Sequence, residues 1–173
     1  MPKSTLDRKA CVEIPALPLQ ILGCRHPEWR DRPLAVVDHD RPQGVILWCS
    51  ALALKKGVRT GMRYASGLAL CGDLAAAEVP AAEIAAARVK LLAHLLSYSP
   101  RVEPLGFAPG RPAEDGVFFL DASGLEPLYE SLDVWGRAVA DGLAAIGFAT
   151  RVTVGFTRFG TWADRAAGRA GRW

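Results

Sequence analysis

Asp115-Gly116-Val117-Phe118-Phe119-Leu120-Asp121 is the stretch on which the fold turns. Four apolar residues, two of them aromatic, are bounded by turn signals, as expected of a short buried strand. The chain enters it from a loop rich in Pro and Gly (109–115) and leaves through Asp121-Ala122-Ser123-Gly124. On the C-terminal side, Leu132, Trp135, Val139, Leu143 and Ile146 step by 3, 4, 4 and 3. That spacing predicts a helix from Ser131 to Ile146, closed by Gly147. Residues 151–156 then alternate, with Val152 and Val154 on one face of a strand. On the N-terminal side, Ile84, Leu91, Leu95 and Tyr98 share the stripe of a helix over 81–98, with Glu83, Lys90 and His94 away from it. Ser99-Pro100 ends that helix, and 101–107 reads as another strand. A first short strand lies at 10–14.

Without residues 16–79 the order is strand, helix, strand, strand, helix, strand, the split βαβ arrangement of an α+β ferredoxin-like domain. Right-handed crossovers put both long helices on one face of a four-stranded antiparallel sheet. The segment 16–79 is then an insertion after the first strand. It reads as a short helix over 17–24, a polar connection over 26–33 and a hairpin of strands 34–37 and 45–48. A helix from Ser50 to Lys56 ending at Gly57 follows, then a short helix over 62–70.

The 173 residues suffice for one domain with a sizeable insertion, and a 50% hydrophobic content supports a real core. A formal charge of +3 is mild, but Arg151, Arg158, Arg165, Arg169 and Arg172 face only Asp164 at the C-terminal end, a balance suited to a phosphate backbone. Cys11, Cys24, Cys49 and Cys71 form no Cys-x-x-Cys pair, and Cys24-x-His26 has no second half at zinc-site spacing. Scattered buried thiols in a reducing cytosol are expected. No apolar leader or membrane-length run is seen, so a soluble, cytoplasmic protein with no membrane partner is expected. Phosphate-binding Gly-rich loops, His-Glu-x-x-His and Gly-x-Ser-x-Gly are absent from the sequence.

The order of several weak motifs resembles the palm and fingers of Y-family DNA polymerases. The run from His26 through Pro27, Pro33 and Leu34 to Val37 resembles the family's Asn-Pro-x-Leu-x-x-x-Pro-Val-x-Val segment. Lys56-Gly57-Val58-Arg59-Thr60-Gly61-Met62 resembles its Gly-Val-x-x-Gly-Met turn. Tyr98-Ser99-Pro100-Arg101-Val102-Glu103 resembles the end of its first palm helix. Phe118-Phe119-Leu120-Asp121 and Val152-Thr153-Val154-Gly155-Phe156-Thr157 resemble its inner strands. The run from Val36 through Asp38-His39-Asp40 to Trp48 is most similar to the ImuB branch of accessory mutagenesis proteins. The resemblance covers roughly residues 10–168. It implies a palm from 10–15 and 80–168, a fingers insertion over 16–79, and flexible termini at 1–9 and 169–173.

Active members of the family hold two Mg²⁺ ions on an Asp of strand one and an Asp-Glu pair of the middle hairpin. Those positions correspond to Glu13, Gly116 and Val117, and neither Gly nor Val supplies the hard oxygen ligand such ions need. The triphosphate-gripping positions correspond to Ala51, Leu54 and Gly160, and the sugar-gating aromatic to Pro18. The resemblance therefore implies a catalytically inactive relative, with no metal or other cofactor, associated with translesion synthesis, SOS mutagenesis and DNA repair. Its expected partners are DNA, held weakly and without sequence preference, and other translesion-synthesis proteins. Lys55, Lys56, Arg59, Arg158, Arg165, Arg169 and Arg172 are the candidate backbone contacts. Glu13 is expected to pair with an arginine or to remain a weak cation site. Glu114 and Asp115 are expected to cap a solvated turn, Asp121 to brace the turn after its strand, and Asp38-His39-Asp40 to form a polar loop. The enzyme alternative is a weak nucleotidyl transferase using Mg²⁺ on Glu13 with Asp115 or Asp121. A folded remnant without function is a further alternative. The resemblance implies a chain that stops just after the palm, short of the family's thumb and little finger, as expected of a truncated product or a fragment.

Overall fold

A computed structural model describes residues 8–105, 115–125, 127–158 and 161. The described strands are β1 (Lys9–Glu13), β2 (Leu34–Val37), β3 (Ile46–Cys49), β4 (Ala75–Ala77), β5 (Val102–Pro104), β6 (Val117–Asp121) and β7 (Arg151–Gly155). The helices are α1 (Leu17–Arg25), α2 (Ala51–Lys55), α3 (Tyr64–Leu70), α4 (Ala81–Leu95) and α5 (Leu132–Ala145). Two compact units emerge. One draws on the chain up to Pro15 and from Arg88 onward, and the other spans Ala16–Ala87.

In the first unit the sheet order is β5-β6-β1-β7, all pairs antiparallel. This is the ferredoxin-like order expected of the βαββαβ sequence. The register separates two faces, because side chains alternate along each strand. Ala10, Val12, Phe118, Leu120, Val152 and Val154 point one way, and the first four are buried. The helices cover this side. A methyl group at Gly136 of α5 would meet Val152 Cγ1 at 3.5 Å. Just beyond α4, the Tyr98 carbonyl accepts a 3.1 Å hydrogen bond from Nε1 of Trp135, which is buried on α5. Both long helices therefore lie on one face, as the crossover rule requires.

The helix boundaries follow from capping. Ser131 Oγ accepts from Val134 N and starts α5. Trp135, Gly136, Val139 and Leu143 are its buried residues, whereas Ile146, expected on the stripe, is exposed at the last turn. On α4, Leu91 and Leu95 are buried as expected. His94, expected to point away, has its Nε2 buried, and a side chain at Gly142 of α5 would collide with it and with Tyr98.

The Ala16–Ala87 unit has a three-stranded sheet of order β3-β2-β4. Ala35, Val37, Ile46, Ala53, Val58, Cys71 and Leu74 form its core. Leu34 and Val36, also buried, are left for the other face, and α1 packs on β2 and β3. Ser50 caps α2 by accepting from Ala53 N, and Gly57 leaves the helix at φ 91°, a conformation that favours glycine. β4 was not expected from the sequence. Ala75-Ala76-Ala77 has no strand propensity of its own, and its parallel pairing with β2 supplies the strand geometry. Lys9, expected in a flexible terminus, opens β1.

Candidate functional site: the open face of the four-stranded sheet

The face away from α4 and α5 is set by the same register, and it forms three cross-strand rows. One row holds Glu13 opposite Val117 and Arg151. The next holds Cys11 opposite Phe119 and Thr153, with Glu103 beyond Phe119. The third holds Lys9 opposite Asp121 and Gly155, and Asp121 N donates to the Arg101 carbonyl at its other side. Cys11, Val117 and Phe119 make a small apolar cluster, with Leu105 against it.

Each described acid on this face stands beside a cation. Arg151 Nη1 lies 3.7 Å from Glu13 Oε2, the arginine pairing expected of that carboxylate. Arg158 Nη1 lies 2.7 Å from Glu103 Oε2, and its guanidinium also sits over the Phe119 ring, 4.6 Å from the centroid. Such stacking favours arginine, whose flat cation is weakly hydrated. Asp121 Oδ2 lies 3.3 Å from Lys9 Nζ and 3.7 Å from Arg101 Nη1. Burial pushes the Asp121 carboxyl up, but hydrogen bonds from Ser123 and the Lys9 ammonium outweigh this and leave it below its ordinary value. The turn-bracing role expected of Asp121 is visible in the 3.1 Å bond from Ser123 N.

Gly116 precedes Val117 and lies opposite Ile14. Ile14 N donates to the Gly116 carbonyl at 2.8 Å, and this brings the two backbones so close that a Cβ at 116 would fall on the Ile14 carbonyl oxygen. The backbone as it stands leaves no room for a carboxylate side chain there. Asp115 is not the solvated turn cap expected. It is buried and held by Arg88 of α4, with Nη1 3.0 Å from its Oδ1 and Nη2 donating to the Leu105 carbonyl. The missing signal was Arg88, which lies on the buried side of α4 and looks in sequence like an ordinary helical surface charge. Asp121 is remote from Glu13 in another way. It pairs with Lys9 at the far end of β1, four residues away and so about 13 Å along the strand. Two-metal chemistry needs carboxylates that converge on ions about 3.5–4 Å apart. The residues present therefore do not fit a pair of Mg²⁺ ions. Among the described residues, no three His, Cys, Asp or Glu side chains are arranged to hold a metal.

The other positions singled out in the sequence are dispersed. Ala51 and Leu54 lie on α2, Leu54 exposed, and Pro18 is buried in the first turn of α1. Lys55 is exposed on α2. Lys56 Nζ lies 3.1 Å from Asp73 Oδ1, and Arg59 Nη1 donates to the carbonyls of Leu54 and Val58, closing the end of α2. Asp38 Oδ1 accepts from Val45 N at 2.6 Å, and Asp40 N donates to Glu78, as fits a polar loop. Of the four thiols, Cys11 and Cys71 are buried as expected, Cys49 is half-buried and Cys24 is exposed. Glu114, Gly160, Arg165, Arg169 and Arg172 lie outside the described residues, as does most of the helix expected over 158–167. Among the described residues, no helix is long and apolar enough to cross a membrane.

Comparisons with known proteins agree with this architecture. The family model of the impB/mucB/samB family matches residues 14–159. A DNA polymerase IV of Vibrio vulnificus (strain YJ016) is 47% identical over 49 residues, which are 28% of this chain and 14% of that protein. Among solved structures, a Dbh ternary complex matches with a TM-score of 0.74 at 14% identity, over 94% of this chain and 46% of the other. The insertion ternary complex of Dbh DNA polymerase matches with a TM-score of 0.67 at 15% identity, over 86% and 42%. DinB from Sulfolobus solfataricus matches with a TM-score of 0.65 at 14% identity, also over 86% and 42%. The chain thus spans less than half of each of these relatives, and at such identities the structural likeness is one of fold.

Proposed function

The chain belongs to the impB/mucB/samB family, whose match spans residues 14–159, and on that premise we propose that it is a catalytically silent, ImuB-like palm and fingers unit of translesion DNA synthesis and repair. It works by touching DNA or partner proteins rather than by joining nucleotides. The palm is formed by residues 10–15 and 80–168, the fingers by 16–79, and the protein acts in the cytoplasm.

The observation that carries this reading is the row Arg151–Glu13–Val117 with Gly116 at its end. Of the three acids that an active relative brings to its metals, one remains, and it stands beside a guanidinium. The next position is apolar, and the third is pressed onto the Ile14 carbonyl. The apolar or small residues at Ala51 and Leu54 point the same way for the triphosphate. DNA contact is supported by the DNA polymerases whose fold this chain shares, and by its basic C-terminal end.

Primer extension tests the reading. With Mg²⁺ or Mn²⁺, no template-directed incorporation is expected. Incorporation that Glu13→Ala abolishes would overturn the proposal. DNA binding is expected to be weak and indifferent to sequence, with a dissociation constant of about 10⁻⁴–10⁻⁶ M near physiological salt. It should weaken further on charge reversal at Arg165, Arg169 and Arg172.

A further inference from the structure

The sheet of order β5-β6-β1-β7 ends at β7, and the register fixes which backbone groups of that strand are spare. Ile14 N donates to the Gly116 carbonyl and Ala122 N to the Arg8 carbonyl, so the even-numbered residues of β1 turn their backbone groups toward β6. In an antiparallel ladder the alternate residues turn the other way. Lys9, Cys11 and Glu13 therefore face β7, and their partners Gly155, Thr153 and Arg151 face β1. The N–H and C=O groups of Val152 and Val154 are left pointing away from the sheet, and among the described residues no strand pairs with them.

Sheets guard such an edge with proline, lysine, a bulge or a covering segment. β7 has neither proline nor lysine, and its register with β1 is unbroken from Arg151 to Gly155. Its sequence, Arg151-Val152-Thr153-Val154-Gly155, is instead nearly symmetrical about Thr153. Laid antiparallel on a second copy about that residue, Val152 falls opposite Val154 of the second copy, and the two exchange both backbone hydrogen bonds. Thr153 meets Thr153 of the second copy, a favourable cross-strand pair. Arg151 is the one charged residue of the strand, and it meets Gly155, so no like charges stand opposite each other. Phe156, 61% exposed directly after β7, comes beside the start of the other β7 and gains cover there.

We infer that β7 is a self-association edge, where a second copy of this chain adds its own β7 antiparallel about Thr153 and joins the two sheets into one. The inference goes beyond the reading of the chain as a DNA-contacting unit and does not depend on it. A ladder of five residues buries much less than the roughly 1,200–2,000 Å² of a stable interface, so the dimer is weak and reversible.

Sedimentation velocity of the whole chain, from micromolar to near-millimolar concentration, tests it. The mass should rise reversibly toward that of a dimer. Amide exchange followed by NMR should slow at Val152 and Val154 as concentration rises, and change least at Thr153, whose N–H already faces β1. Val154→Pro removes an outward donor while sparing the ladder with β1, and should weaken the dimer by about tenfold or more. Thr153→Lys sets two ammonium groups opposite each other and should weaken it by about fivefold. Circular dichroism shows whether each variant is folded, and Thr153→Lys carries the test should the proline variant unfold. A chain that stays monomeric throughout, or a dimer that folded Thr153→Lys leaves unchanged and that gives Val152 and Val154 no protection, would overturn the inference.

Discussion

The two faces of the β5-β6-β1-β7 sheet share every strand and every backbone hydrogen bond, yet they have followed different rules. The covered face is made of apolar side chains against α4 and α5, with Val12, Phe118 and Leu120 at its centre. Burying one such side chain is worth about 1.5–3 kcal/mol. The open face combines the small buried cluster of Cys11, Val117 and Phe119 with partly exposed ion pairs, the pairs each worth at most about 1 kcal/mol. Stability therefore resides mainly on the covered side, and the ion pairs of the open side can change with little consequence for the fold. A sheet of this order can thus carry the row Arg151, Glu13 and Val117 and keep its fold.

Mutations should separate the two faces most clearly at Phe118. Phe118→Ala removes a fully buried ring from the covered face and should destabilise the protein by about 3–5 kcal/mol in urea unfolding. A change of less than 1 kcal/mol there would mean that the covered face is not the core. Gly116→Ala is the next largest. Its methyl group would collide with the Ile14 carbonyl, so a loss of about 1–3 kcal/mol is expected from forced backbone displacement. A neutral Gly116→Ala would show that the row can reopen to admit an acid.

Ser123→Ala tests the end of the open face at Asp121. Ser123 Oγ accepts from Arg8 N at 2.9 Å and helps keep the Asp121 carboxylate ionised, so its loss should be worth about 1 kcal/mol at neutral pH. The sign follows from the depressed carboxyl. Its stabilisation is present above the ordinary value of 3.8 and fades as pH falls through the lower, folded-state value. The part of the Ser123→Ala deficit that belongs to Asp121 should therefore shrink in acid, which paired unfolding curves across that range would measure. Arg151→Met should have the smallest effect on stability, under about 1 kcal/mol, because its ion pair is partly exposed and not tightly closed. A loss of several kcal/mol at Arg151 would contradict the division of labour between the faces.

How much of this was legible in the sequence differs along the same line. The covered face was readable because periodicity reports burial: Trp135, Val139 and Leu143 on α5, and Leu91 and Leu95 on α4, fall where their spacing puts them. The strand order followed once the elements were known, since few connections are compatible with right-handed crossovers. The open face was readable only in its losses. Gly116 and Val117 stand where the resemblance implies metal ligands, but the partners of the neighbouring acids are non-local. Arg151 meets Glu13 through the β1–β7 register, and Arg88 reaches Asp115 from a helix 27 residues earlier. No local pattern encodes either. β4 was missed for the same reason, since three alanines become a strand only by pairing with β2.

The central proposal, that the row of Arg151, Glu13 and Val117 holds a guanidinium in place of divalent cations, is tested most directly by titrating the whole chain with Mn²⁺ under electron paramagnetic resonance. The account expects free-ion signal throughout the micromolar range, with no change on Glu13→Gln. Stoichiometric binding of one or two ions in that range, lost on Glu13→Gln, would contradict it.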